Sequence, residues 1–236
     1  MNCIVYSKYT QTLPHWGYIK EVFSMFKLGF RVFTFLTLLI MLASPLVFSG
    51  DSWETKINEN GIIIQTRDDP ESSMNEFKAE TTIDAPIEVV SMVLKDISNH
   101  KKWMDSYVES KIVKQLSDSS YEIYIKAHAP WPVTDRDEYA KIVFDDNVKE
   151  GGKLTVTISA IKEGYPKTKC VRVTYHTSKW ILTKSSKDNN KTEVLFTVKQ
   201  HPGGSIPDFL ANSGVTNTPK KTLLNLKKYV AAQIKK

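Results

Sequence analysis

From residue 61 onward the chain alternates apolar and polar residues in short runs, broken once by a helical period and closed by another. "GIIIQTR" (61–67) and "FKAETTID" (77–84) predict two strands with a turn around Asp69-Pro70. In "APIEVVSMVLKDISNHKKW", Val89, Val90, Val93, Leu94 and Ile97 recur at helical spacing. Pro86 suits the first turn, and Asn99-His100 ends the helix. "VESKIVKQL", "SYEIYIKAHA", "DEYAKIVFD", "LTVTISAI", "CVRVTYHTSKWILTK" and "TEVLFTVKQ" then read as strands. The connections between them are too short for parallel crossovers, so they predict a long antiparallel meander.

The tail from Ser205 is helical, with Leu223, Leu226, Val230 and Ile234 at steps of three and four and lysines opposite. Pro219 is expected to kink or interrupt it. The order is two strands, a helix, five or six strands and a long helix. It predicts an α+β fold in which the terminal helix covers one face of a curved antiparallel sheet. Tyr121, Ile123, Ile125, Ala127 and Ala129 share one side of a strand, as do Ala140, Ile142 and Phe144. Val171, Val173 and Tyr175, then Val194, Phe196 and Val198, repeat the pattern. Alternation fits a solid core and a cavity wall equally.

The first 49 residues follow a different pattern. Lys27 and Arg31 precede an uncharged apolar stretch, and Pro45 and Ser49 lie before the polar chain begins at Asp51. Residues 25–49 read as a secretory signal, with a membrane anchor over residues 32–48 as the alternative. Residues 1–24 read as an extension from an early start codon, with Met25 the true start. Lys8, Lys20, Lys27 and Arg31 against Glu21 put +3 of the chain's +6 in this segment. The remaining +3 is too mild for a nucleic-acid protein. Cys170 is the single cysteine after Cys3, so the exported part has no internal disulfide and no thiolate metal cluster.

"HAPWPVTDRDEY" (128–139) concentrates the charge. Two prolines do not belong in a central strand, so it marks a corner. Alternation sends Asp135 and Asp137 to one face and Arg136 and Glu138 to the other. An ion-pair cluster fixing the corner is the expected role; general acid–base work would need both acids buried in a pocket. His100, His128, His176 and His201 show no metal-ligand spacing and are expected to be solvated. Trp103, Trp131 and Trp180 are expected to be packing anchors. No nucleophile elbow, phosphate loop or calcium loop is present. The sequence therefore predicts no catalytic residue, no metal and no cofactor.

"PWPVTDRDEY", "VRVTYHTSKWIL" and "HPGGSIPDFLANSGVTNTPKKTLLNLKKY" resemble the START family, the lipid-transfer domains related to steroidogenic acute regulatory protein. "WETKINENGIIIQTR" and "FKAETTIDAPIEVVSMVLKDISNHKKWM" resemble its opening, so the likeness runs from about Ser52 to Gln233. It implies a helix-grip fold over residues 51–236, enclosing a hydrophobic tunnel in a bacterial-type exported member. Ile123, Ile125, Ala127, Ala140, Ile142, Phe144, Val173, Tyr175, Phe196, Leu223 and Val230 would line the tunnel. The loop Lys162–Lys169 and the terminal helix would gate it.

The sequence departs from the family where sterol-binding members carry a buried acid and arginine. Those positions fall on Ile123 and Ile142, which implies a more apolar lining; His201 replaces a frequent aspartate. The expected partners are a lipid or other hydrophobic molecule and a transient membrane surface, with the protein a monomer. The alternatives are an enzyme of the wider superfamily, favoured by a carboxylate or histidine buried in the tunnel, and an interaction module with a vestigial cavity.

Overall fold

The computed structural model describes residues 52–204, 206 and 208–235, with 208–213 described by their backbone alone. Residues 25–49, expected to be a signal or an anchor, and the residues before them lie outside this range. Among the described residues no helix is long and apolar enough to cross a membrane.

Ten strands form a single sheet. They are β1 (Glu54–Glu59), β2 (Ile62–Arg67), β3 (Glu76–Ile83), β4 (Tyr107–Ser117), β5 (Ser120–Ala127), β6 (Arg136–Asn147), β7 (Lys153–Ala160), β8 (Val171–Val173), β9 (Tyr175–Lys184) and β10 (Thr192–His201). Helix α1 (Ile87–Lys95) and a 3₁₀ segment (Ile97–Lys102) follow β3; α2 (Val148–Gly151) is one turn, and α3 (Asp208–Ile234) closes the chain. The order across the sheet is β1-β2-β3-β10-β9-β7-β6-β5-β4, with antiparallel neighbours throughout. β10 closes on β3, which joins the opening strands to the long meander.

The structure differs locally from the sequence reading in three places. β1 adds a third opening strand; its residues are largely exposed, so it shows no alternation. The run from Cys170 to Lys184 breaks at Thr174. β7 ends at Ala160, paired with Ala140, which leaves Arg136–Glu138 of β6 open to β8 in parallel pairing. α3 runs through Pro219 as one helix.

The core lies between the concave face, α1 and α3. Leu223, Leu226 and Val230 of α3 pack there with Ile62, Ile64, Ala79, Val90 and Leu94. An aromatic ladder runs through it. Trp103 meets Trp180 edge-on at 5.7 Å, Trp180 stacks on Phe196 at 3.8 Å, and Phe196 meets Phe77 edge-on at 5.2 Å. Such contacts add about 0.5–1.5 kcal/mol each beyond area burial.

The outer face carries a second cluster. The Asp137 side chain is 0% exposed. It accepts hydrogen bonds from Arg172 Nε at 2.7 Å, Thr168 Oγ1 at 2.6 Å and Tyr124 Oη at 3.3 Å. Tyr165 stacks on Tyr124 at 4.6 Å and leans on Tyr139 at 5.2 Å. Tyr139 in turn donates to Glu122, which pushes its hydroxyl pKa up to about 12. Tyr124 and Tyr139 project opposite to Ile123, Ile125 and Ala140, so the β7–β8 loop is fastened to the outside of the sheet. This corrects the expectation that Lys162–Lys169 gates the interior.

Burial pushes the Asp137 carboxyl upward, but the bonds from Arg172 and Thr168 outweigh it and hold its pKa below the usual carboxylate range. A folded-state pKa below the unfolded one stabilises at neutral pH, and the contribution is lost as pH falls from about 4 through the folded value. Asp137→Asn should therefore cost about 1–3 kcal/mol at pH 7, because Arg172 loses its anion. The deficit should shrink as pH falls below about 4, where the parent loses the same contribution. Equal stability at pH 7 in urea titrations would contradict this role.

Candidate functional site

At the end of the sheet where β5 runs into β6, the core opens into a cavity of about 470 Å³. Its apolar wall comes from Met74 and Phe77 at the start of β3, Ile125 and Ala127 of β5, Val173 of β8, and Phe196 and Val198 of β10. The aromatic ladder lies beneath it, because Phe196 rests on Trp180. Its rim consists of Met104–Tyr107, the β5–β6 loop through His128, Ala129, Pro130 and Val133, Pro202 and Ile206, and the first half of α3 through Gly214, Asn217, Thr218, Lys221 and Thr222.

The rim is held by few polar bonds. Arg136 Nε and Nη2 reach the carbonyls of Pro202 and Gly203 at 3.4 Å each, and Nη1 donates to Thr134 O. Burial lowers the Arg136 pKa from its ordinary value. The backbone N–H of Asp105 donates to Thr222 Oγ1 on α3 at 3.1 Å. Gly203 has φ +69, and a Cβ there would lie 3.0 Å from Arg172 O and Val171 Cγ1, so this turn needs glycine. Asp135 fixes the root of the β5–β6 loop by accepting from Ala129 N–H at 3.2 Å and His128 Nδ1 at 3.0 Å, beside Lys126 at 3.3 Å.

The expected corner cluster therefore exists at Asp135, but the neighbouring acids differ from the surface role foreseen. Asp137 is buried on the outside. Glu138 faces inward, lines the cavity and pairs with His176 of β9, Nδ1 to Oε1 at 2.7 Å. Their side chains are 9% and 7% exposed. His176 is thus not solvated, and neither is His100, which is buried against Leu94 O at 2.8 Å. Tyr107 lines the same cavity. Burial, and then the Glu138 charge, raise its hydroxyl pKa and keep it a neutral donor.

Of the residues expected to line the interior, Ile125, Ala127, Val173 and Phe196 border the cavity. Ile123, Ala140, Ile142, Phe144, Leu223 and Val230 lie in the packed core. Tyr175 turns aside and donates to Asp69 at 3.1 Å and Glu71 at 2.9 Å. Trp103 and Trp180 are packing residues, but Trp131, at the tip of the β5–β6 loop, is 91% exposed.

The Glu138–His176 pair escaped the sequence reading, although a signal was present. Glu138 begins the inward series Ala140, Ile142, Phe144, and His176 precedes Ser178, Trp180 and Leu182 in register. A charged residue at an inward position of an apolar series indicates a buried partner. Chemically, Glu138 fixes the imidazole orientation and leaves Nε2 free. Among the described residues no hydroxyl or thiol nucleophile hydrogen-bonds to His176, and no three His, Cys, Asp or Glu side chains converge as a metal site.

Two alanines separate hollow from solid. Ala140 sits between Ile123 and Ala160 with no exposure, so Ala140→Trp should overpack and cost about 1–3 kcal/mol or more. Ala127 borders the cavity, so Ala127→Trp should keep the parent's Tm and exclude apolar fluorescent probes. The reverse ranking in paired melting and probe-binding measurements would contradict the cavity's position.

A START-domain family model matches residues 46–230. An uncharacterized protein of Pseudomonas aeruginosa is 29% identical over 179 residues, covering 75% of this chain and 86% of its own. The crystal structure of a STAR-related lipid transfer protein fragment from Xanthomonas axonopodis superposes with a TM-score of 0.68 at 29% identity, over 77% of this chain and 99% of that one. Human StAR-related lipid transfer protein 5 shares the fold at 15% identity, with a TM-score of 0.68 over 90% of this chain and 99% of its own. With its curved sheet, its terminal helix and a family match spanning most of its length, the chain belongs to the START-domain family.

Proposed function

We propose that this protein binds one apolar or amphipathic molecule of lipid type in its cavity and passes it to or from a membrane surface, acting as an exported monomer. The observation that carries the reading is the cavity's construction. An apolar wall built on an aromatic ladder meets a rim closed by polar bonds. A ligand that leaves about 300 Å² of apolar surface there gains roughly 7 kcal/mol before the costs of association. Carriage needs no reacting group. Family membership supports a hydrophobic ligand; the apolar segment at 25–49 supports export.

Trp131 supports the membrane step. An exposed indole between Pro130 and Pro132 buries little of its apolar surface in water, whereas tryptophan settles well at a bilayer interface. Its loop borders the cavity on one side, so docking by Trp131 would bring the rim to the bilayer.

A second reading is an enzyme acting on a hydrophobic substrate, and the buried Glu138–His176 pair favours it. Mass spectrometry of lipids extracted with the protein from its own host separates the two: carriage predicts a molecule recovered unchanged.

For carriage, Trp131→Ala should slow transfer of a bound fluorescent lipid between vesicles by about tenfold and change its affinity in solution by less than about twofold. Unchanged transfer would remove Trp131 from the membrane step. The absence of transfer by the parent chain would remove the function itself.

A further inference from the structure

The two halves of the sheet differ on their outer faces. Over β5 and β6 the β7–β8 loop is fastened down through Tyr165 and Thr168. The outer face of β2, β3, β10 and β9 carries instead an open groove of about 530 Å³.

The register shows how the groove is built. Ile63 of β2 pairs with Glu80 of β3, Glu80 with Leu195 of β10, and Leu195 with Ile181 of β9. These four make one row across the strands. Their neighbours along each strand point into the core, so the row projects outward. Thr82, Glu193 and Thr183 make the next row, nearer the turn between β9 and β10. Four strands about 4.8 Å apart give the groove a length of roughly 14 Å.

The groove combines aliphatic surface with negative charge. Ile63 is exposed, and Leu195 and Ile181 are half-buried. Single exposed aliphatics are common on a surface, but these three share one row. The charged residues of the lining are Glu80 and Glu193, both acids. Glu193 stands opposite Thr82, so the two carboxylates are diagonal neighbours at about 7–8 Å. Glu193 accepts a hydrogen bond from Ser185 Oγ at 3.2 Å. Glu80 lies 3.7 Å from Lys78 Nζ, beyond hydrogen-bond distance, and Lys78 also sits over the Trp53 ring at 4.9 Å. Lys78 and Lys179 belong to the row on the other side of the groove.

These features select an occupant. Two neighbouring acids repel an anionic headgroup or a nucleic-acid phosphate. A wholly apolar ligand would cover the carboxylates without pairing them. A long cationic side chain answers both demands, because its methylene stem covers aliphatic surface while its head reaches an acid. Two such side chains at alternate positions of an extended segment stand about 7 Å apart, which matches the spacing of the acids. We propose that the groove docks a protein partner through a short extended segment carrying lysine or arginine among aliphatic residues. The groove lies on the face opposite the cavity and toward the other end of β9 and β10, whose His176, Val198 and Gln200 border the cavity. A docked partner therefore leaves the rim and the Trp131 loop free. The competing role for this face is a solvated surface with no occupant.

Photo-crosslinking of the full chain in its own host tests the proposal. The probe is p-benzoylphenylalanine in place of Thr183 inside the groove, with Thr157, outside it on the same face, as the control; the crosslinked peptide is sequenced by mass spectrometry. Thr183 should capture a segment of another protein with at least two lysines or arginines among aliphatic residues, at least about tenfold above the control. Glu80→Gln/Glu193→Gln should lower capture by at least about tenfold and Ile63→Ser by at least about threefold. Both variants should keep the parent's Tm and its rate of lipid transfer between vesicles. Capture of lipid alone, of a second copy of this chain, or of a segment without cations overturns the proposal. So does no capture at Thr183, or capture undiminished in the double variant. Each of these leaves the carriage reading standing, because that reading depends on transfer by the parent chain.

Discussion

The structure turns on two carboxylates at consecutive positions of β6. A strand's pleat sends neighbours to opposite faces, so Asp137 and Glu138 are driven into two different low-dielectric environments. Neither can remain charged there without a partner. Asp137 takes Arg172 outside, and Glu138 takes His176 inside. Both partners come from the segment after β7, one from β8 and one from β9. Satisfying the two charges fixes how the chain returns to the sheet once β7 has ended. It anchors the β7–β8 loop on the outer face through Thr168 and the stacked Tyr165. It also places a polar pair beside the apolar wall of the cavity.

Packing is divided along α3 in a related way. The second half of the helix presents Leu223, Leu226 and Val230 to the core, where they fill the concave face. In the first half Val215 still enters the core, while Gly214, Asn217, Thr218 and Lys221 border the cavity. Small and polar residues cannot fill the volume that leucines fill one turn further on. Space is left where these residues, rather than leucines, border the interior. Ala127 and Ala129 on β5 widen the same end.

Much of this was legible in the sequence. Period-two alternation placed Ile123, Ile125, Ala140, Ile142 and Phe196 on one face, and short connections fixed the antiparallel order. The family motifs identified the fold. What alternation cannot give is depth along the strand. Ile123 and Ile125 are equivalent in pattern, yet Ile125 borders the cavity and Ile123 does not. Partnering was equally hidden. Glu138 and His176 are 38 residues apart, and a long-range pair leaves no local spacing. The polar β1 carries no alternation because both its faces meet water. The β7–β8 loop was misplaced for want of the contact between Tyr165 and Tyr124, which depends on the pleat of two other strands.

The division between packed base and polar rim also bears on exchange. Opening the base would break the aromatic ladder and expose Leu223 and Leu226. The contacts traced across the rim are Arg136 with two carbonyls at 3.4 Å and Asp105 N–H with Thr222 at 3.1 Å. The neutral Asp105–Thr222 bond contributes about 0.5–1.5 kcal/mol net, and the Arg136 bonds, though their donor is charged, are long. Regions held by few such bonds are the ones from which locally opening segments are drawn. A binding protein built this way can release an apolar cargo without loosening the core that gives the cavity its shape. The loop bearing Trp131 borders this same end of the cavity.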